Sequence, residues 1–305
     1  MSLRSDAVVV TYEPDIATLL SLIAALVPQV DKIVLVDNGS SNLQTWRHQL
    51  PTQSVLLVEL GSNQGIATAL NAGFAAVRQR GVATFVTLFD QDSAPSDGMV
   101  SRLESYHDEL TARGPVAQIG PYFFEKNRGY YLPFIEFSAG IPRRKHAPEA
   151  GGWTTADYLI TSGSLLPLSA IDQVGVLDDS LFIDYVDIEW GLRAKAAGLQ
   201  SYGVFDVRME HAIGEKALKL ANVRLAMHKP IRRYYYYRNA LLLCKRSYIP
   251  FSWKLSEVLR LSVKFFIFAL FSRHRVDDVR MMTKGIIDGV RGRTGKLGES
   301  GGNAG

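Results

Sequence analysis

The residues best suited to chemistry in this 305-residue chain close the stretch VTLFDQDSAP, where the apolar run Phe85–Phe89 gives way to Asp90 and Asp92. Two carboxylates one residue apart, at the carboxyl edge of a strand, suit a divalent cation with oxygen ligands that also grips a phosphate-bearing substrate. Water would complete its shell. The same residues also read as an Asx-turn followed by a helix N-cap from Ser93 or Ser96. A second acidic group, Asp184, Asp187 and Glu189, lies in FIDYVDIEWGLRAKAAG. A helix begun near Tyr185 puts Asp187 in its first turn, near the positive end of the dipole. Trp190, Ala194 and Ala197 then form a packed face, and Gly198 caps the C-terminus. Three carboxylates this close cannot all be core, so at least one is expected to point into a crevice. His211, in MEHAIGE, reads either as a structural histidine or as a ligand.

The elements that must position these groups alternate. Asp6–Tyr12, Lys32–Val36, Val55–Leu60 and Ala83–Phe89 read as strands, with helices at Ile16–Leu26 and Ile66–Arg80. That alternation predicts an α/β fold with a parallel, doubly wound sheet and right-handed crossovers. Each strand ends in a polar loop: Thr11-Tyr12-Glu13, Asp37-Asn38, Asn63-Gln64 and Asp90–Ser93. Ligands of open α/β sheets collect at those ends, so the four loops are expected to share one site. Neither a GxxxxGK[ST] loop nor a GxGxxG turn after the first strand is present, which argues against Walker-type NTPases and dinucleotide dehydrogenases. An aspartate after the second strand and a metal after the fourth would hold base and diphosphate instead.

After a helix around Met99–Thr111 and a fifth strand, Val116–Gly120, the periodicity fails. Residues 121–156 are aromatic and basic with scattered Gly and Pro, and are expected to form an excursion over the substrate, mobile at about 142–152. Its run Arg143-Arg144-Lys145 equally suits a solvated loop. Asp157–Leu166 is strand-like but broken at Ser162-Gly163-Ser164, where a ligand or another strand must come close. A short helix, Leu168–Val174, and a strand, Gln200–Val207, precede a helical pattern over 231–246 that aligns Arg233, Tyr237, Leu241 and Lys245.

Charge divides the chain. Residues 228–305 hold 16 Lys/Arg against 5 Asp/Glu, a balance of +11, whereas residues 1–227 stand at −7. A basic tail on an acidic body is expected to meet phosphate, on nucleic acid or on an anionic membrane. Leu255–Phe271 is too short and too charged to span a bilayer. It suits an amphipathic helix in the headgroup region, or a helix packed on the body or on a second subunit. The absence of a signal-peptide pattern points to the cytoplasm. The single Cys244 excludes an internal disulfide framework, and no Cys/His cluster has zinc spacing. From Gly292 onward the Gly, Ser and Asn content predicts disorder.

The ordered set VVTYEPD, VDNGSS, NQGIATALNAGF, FDQDS, ITSGSLL, FIDYVDIEWGLR, EHAIGE and RRYYYYRN resembles inverting glycosyltransferases of family 2. The resemblance is strongest to bacterial rhamnosyltransferases that use dTDP-rhamnose, and it runs from Asp6 to about Asn239. It implies a GT-A-type fold: a mixed, mostly parallel central sheet with helices on both faces and a helical C-terminal appendage. The catalytic domain would be 1–227, with a nucleotide-sugar half to about 120 and an acceptor half beyond. Residues 228–291 would form a basic helical region for membrane or oligomer contact.

The resemblance also implies roles. Thr11, Tyr12 and Glu13 would sit by the base, with Asp37, beside Asn38, accepting the imide N–H of a pyrimidine. Asn63, Gly65 and Asn71 would shape the nucleotide pocket. Asp90 would face the sugar of the nucleoside, and Asp92 would ligate Mg²⁺ or Mn²⁺, with His211 completing the metal or diphosphate site. In the E-D-x-D/E motif that carries the base, Val186 replaces the first Glu and Asp187 holds the catalytic position. Asp184 or Glu189 would orient it, and Arg232, Arg233 and Arg238 are candidate phosphate contacts. The implied reaction moves rhamnose from dTDP-rhamnose to a glycan or lipid-linked glycan, at the inner face of the bacterial membrane. A UDP-linked hexose or galactofuranose donor is the alternative, because Asp37 cannot tell uracil from thymine. A nucleic-acid module built on Tyr234–Tyr237 leaves the acidic loops unexplained, so no nucleic-acid partner is expected. A homo-oligomer through the C-terminal apolar stripe stays open.

Overall fold

The computed structural model describes residues 4–125, 129–138, 141–211, 215–220, 223–227 and 230–298. Its first half is strictly alternating: β1 (Ser5–Thr11), α1 (Ile16–Leu26), β2 (Ile33–Asp37), α2 (Leu43–Trp46), β3 (Val55–Glu59), α3 (Ile66–Arg80) and β4 (Phe85–Asp90). These strands are continuous apolar runs because helices cover both faces of the sheet. Along β1 the pleat sends Ala7 and Val9 to a core with Leu19, Leu26 and Trp46, and Val8 and Val10 to one with Leu70, Phe74 and Trp190.

A short β5 (Ala94–Pro95) and α4 (Met99–Thr111) lead to β6 (Val116–Glu125), β7 (Tyr130–Tyr131), β8 (Phe134–Ser138), β9 (Ile141–Lys145), β10 (Trp153–Ala156) and β11 (Leu165–Pro167). Then follow α5 (Leu168–Val174), α6 (Val186–Ala196), β12 (Gln200–His211), a hairpin of β13 (Glu215–Leu220) and β14 (Val223–Met227), and the helices α7 (Pro230–Cys244), α8 (Phe251–Phe271) and α9 (Arg275–Val290). The main sheet runs β10-β12-β6-β11-β4-β1-β2-β3, with β1 parallel to β2 and β4 and β2 parallel to β3. β11 is antiparallel to both β4 and β6, so the sheet is mixed and mostly parallel. This is a GT-A-like fold carrying C-terminal helices. The chain turns back at β1, with β2 on one side and β4 on the other, and the parallel strands bring their carboxyl ends to one edge of the sheet.

Three expectations change. Residues 121–156 are largely sheet: β6 continues through Pro121 to Glu125, β8 and β9 pair as a hairpin, and β10 pairs with β12. Aromatic stacking hid this periodicity, since Tyr122, Tyr131, Phe134 and Phe205 form their own cluster. Asp157–Leu166 is strand only from Leu165. At its break the Gly163 N–H donates to Leu88 O at 2.6 Å, so the close neighbour is strand β4. The third change is at the tail, where residues 292–298 lie against α7. Arg238 donates to the Gly295 carbonyl, and the Leu297 N–H donates to the Tyr235 hydroxyl at 2.8 Å.

Periodicity alone does not show α9, because its glycines interrupt the apolar pattern. Those glycines are the contact. A Cβ on Gly285 would stand 2.4 Å from Tyr234 O, and one on Gly289 would stand 2.9 Å from Arg238 O. Arg233 and Asp278 pair at 2.6 Å beneath them, with the guanidinium 3.5 Å from the Phe268 ring. Gly285→Ala should therefore destabilise by about 2 kcal/mol or more in urea titration, from overpacking. Helix propensity alone would stabilise by about 1 kcal/mol, so the sign separates the two effects. Among the described residues no helix is long and apolar enough to cross a membrane.

Candidate active site

The strand-end loops are knit together before any ligand arrives. The buried Asp37 carboxylate accepts from the N–H groups of Gly39 at 3.1 Å and Ser40 at 3.0 Å, and from the Thr11 hydroxyl at 3.4 Å. Glu13, in the left-handed region at φ +48°, accepts from Ser41 through both oxygens and donates its own N–H to Ser40 Oγ at 2.9 Å. Asn38 Oδ1 accepts from the Gln64 N–H at 2.9 Å. Its Nδ2 reaches Asn63 Oδ1, which also accepts from the Gly65 N–H. The Tyr12 N–H donates to Gln91 Oε1 at 2.8 Å, tying β1 to the Asp90 loop while its ring stays exposed. Thr11, Tyr12, Glu13, Asp37, Asn38 and Asn63 are thus one shelf.

Gly65 joins that shelf to the second acidic group. At φ +91°, a Cβ there would lie 2.5 Å from Phe182 O, and the Ile66 N–H donates to that same carbonyl at 2.8 Å. The close approach that requires glycine is to the protein's own backbone. Phe182, Asp184 and Tyr185 all have positive φ, at 65°, 64° and 68°. Non-glycine residues rarely adopt this region, and three within four positions store strain. Asn239 holds the turn: its Nδ2 lies 2.9, 2.7 and 2.9 Å from the carbonyls of Leu181, Ile183 and Asp184. Sequence signals Asn239 only as the last residue of RRYYYYRN, without a role.

Across the turn opens a crevice of about 480 Å³, lined by Asp90, Asp92, Thr161, Asp184, Asp187, Arg232 and Tyr236 among others. Both acidic groups therefore reach one cavity. Arg232 clasps Asp184 with three contacts of 3.0 to 3.2 Å. Burial raises the Asp184 carboxyl above its ordinary range against the opposing pull of Arg232. Asp187, in the first turn of α6, is pushed up to about 6, mainly by burial and further by the negative charges of Asp184 and Asp90. The Ile188 N–H, 2.9 Å from its Oδ1, pulls the other way. A carboxylate poised near neutrality in a crevice is suited to taking a proton.

Other expected residues lie elsewhere. Glu189 is buried in a pair with Arg193 at 2.8 Å and accepts from Tyr248, so it braces α6 from behind. Asn71 spends both ends of its amide on the Leu177 backbone, at 2.9 and 3.0 Å. Arg238 is fully buried and donates to the carbonyls of Leu181 and Gly295, so it holds backbone where a phosphate contact was expected. Arg233 is spent on Asp278. The side chain of His211 lies outside the described residues. Among those described, no group of three or more His, Cys, Asp or Glu is placed to hold a metal ion. The hard oxygen donors of Asp90 and Asp92 suit Mg²⁺ or Mn²⁺ once a donor diphosphate and water supply the remaining ligands.

The mixed, mostly parallel sheet is GT-A-like, and its β4 loop meets Asp184 and the α6 carboxylate Asp187 across one crevice. The chain belongs to glycosyl transferase family 2, whose model matches residues 6–160. It is 32% identical over 290 residues to dTDP-rhamnosyl transferase RfbF of Shigella flexneri, covering 95% of this chain and 96% of that one. Among solved structures, that of GalNAc-T7 with UDP, GalNAc and Mn2+ superposes with a TM-score of 0.56 at 11% identity. The match covers 89% of this chain and 58% of that one, a likeness of fold.

Proposed function

We propose that this chain is an inverting, metal-dependent rhamnosyltransferase that moves rhamnose from dTDP-rhamnose to a hydroxyl of a lipid-linked or polysaccharide acceptor. The product would be a bacterial surface polysaccharide, O-antigen or similar. The observation that carries the reaction is the meeting of Asp187, poised at about 6, with Asp90 and Asp92 in one crevice. Similarity to RfbF over 95% of the chain supports the donor. The acceptor hydroxyl gives its proton to Asp187 as its oxygen attacks the anomeric carbon, and the bond from that carbon to the diphosphate breaks on the opposite side. One displacement inverts the configuration. Asp92, with Asp90 beside it, would hold Mg²⁺ or Mn²⁺, which offsets the charge developing on the leaving diphosphate. Arg232 pairs with Asp184 at 3.0 Å beside the base. Asp37 and the Tyr12 ring would receive the pyrimidine.

The test is calorimetric binding of dTDP and UDP, each with Mn²⁺ and again with EDTA. Tighter binding of dTDP is expected, weakened at least about tenfold by EDTA, with Asp92→Ala abolishing the metal dependence. Preference for UDP would move the donor to a uridine-linked sugar. Binding of neither would overturn the roles of Asp37 and Asp92.

A further inference from the structure

The feature that the transfer reaction leaves unused is the outer face of α8. Phe251, Leu255, Leu259, Val263, Phe266 and Leu270 recur every three or four residues and are 51–78% exposed, while Trp253, Glu257, Leu261 and Phe268 face inward. Twenty-one residues give this stripe a length of about 30 Å. Soluble monomers rarely leave so continuous an apolar surface uncovered. Strand β9 runs alongside α8 and adds Ile141, 66% exposed, with Arg143 and Arg144 exposed beside it. Arg273 and Arg275 are exposed where α8 passes into α9.

We infer that α8 and the β8–β9 hairpin form one docking face for an anionic lipid bilayer, with the α8 stripe at the acyl boundary and Arg143 and Arg144 on the headgroups. Charge selects this occupant over a second copy. Arg143, Arg144, Arg273 and Arg275 are all exposed around the stripe, and pairing two such faces would set these like charges together, whereas an anionic leaflet offsets them. An amphipathic helix with basic neighbours lies in the interface plane. Its placement also fits the crevice, a step that rests on the transferase reading. Helix α7 lines the crevice with Arg232 and Tyr236, and its next residue, Tyr237, donates to Leu261 O of α8 at 2.9 Å. The turn that leads into the proposed base is also held to α8 directly, the Tyr185 hydroxyl donating to Glu257, so the crevice lies on the α8 side of the molecule, where a lipid-linked acceptor would be presented.

Co-sedimentation with vesicles of phosphatidylcholine, with and without phosphatidylglycerol, tests this on the full chain. Binding is expected only to the anionic vesicles. L259E/L270E should abolish it, and R143S/R144S should weaken it about 10- to 30-fold. Both variants change exposed side chains and should keep dTDP binding in calorimetry. Equal binding by wild type and either variant, equal binding to neutral vesicles, or a dimer that L259E/L270E splits would overturn the proposal. Loss of nucleotide binding with vesicle binding intact would count against the transferase reading and leave the docking face standing.

Discussion

Replacing Asp187 by Asn should lower the rate of transfer about a thousand-fold while leaving the affinity for dTDP and metal unchanged. The amide keeps the shape of the side chain and removes the lone pair that receives the acceptor proton. In the wild type, kcat/KM should rise through about pH 6, where Asp187 loses its proton, and the variant's residual activity should lack that limb. The same residue links catalysis to stability with a definite sign. Its folded value, about 6, lies above the ordinary carboxylate value of 3.8, so the folded state holds the proton more tightly. The resulting stabilisation is complete below about pH 4 and is lost as pH rises through 6. Asp187→Asn should therefore unfold at higher urea concentration than wild type at pH 7.5, by about 1–2 kcal/mol after allowing for solvent at a half-buried group, and show no such gain at pH 4. Substantial transfer by the variant would remove Asp187 from the role of base.

The main strands and helices of the first 120 residues were legible because each obeys a local rule, whereas the short α2 and β5 were not read. Apolar runs closed by Glu13-Pro14 and by Asn38-Gly39 mark β1 and β2, and helices α1 and α3 begin and end where the sequence places them. The site was legible in part. Asp90, Asp92, Asp184 and Asp187 reach one crevice, as spacing and the strand-edge rule suggest. Residues in the same motifs that turned out to brace backbone were not separable from them. Arg238 and Arg232 look alike in RRYYYYRN, yet α7 turns one into the core and the other to Asp184. Glu189 and Asp187 are two residues apart on α6 and so face opposite ways. Gly65 reads as a nucleotide-loop glycine, but its neighbour is Phe182, far away in sequence. Long-range packing decided each of these, and no local pattern carries it.

That packing makes Asn239 the position where a single substitution should do most harm outside the crevice. The turn before α6 keeps three non-glycine residues at positive φ, each costing about 1–3 kcal/mol, so it persists only where its surroundings over-determine it. The Asn239 amide meets three of its carbonyls, and Oδ1 is held by Arg238 Nε at 2.9 Å. Asn239→Ala removes the amide donor from the Ile183 and Asp184 carbonyls, while Leu181 O keeps Arg238, and should cost about 3 kcal/mol in urea titration. Asn239→Asp should be worse, because it sets a carboxylate oxygen against carbonyl oxygens in the same space. The turn carries Asp184 and leads directly into Asp187, so its relaxation should shift the base off line. Where the variants remain folded, kcat should fall more than the KM for the nucleotide donor rises, since the turn meets the shelf at Gly65 and Ile66 through Phe182 and not at Asp37. A variant that lost stability but turned over at the wild-type rate when folded would limit Asn239 to scaffolding. One that kept full stability would show that the strain in the turn is balanced elsewhere, with the buried Arg238 as the remaining donor.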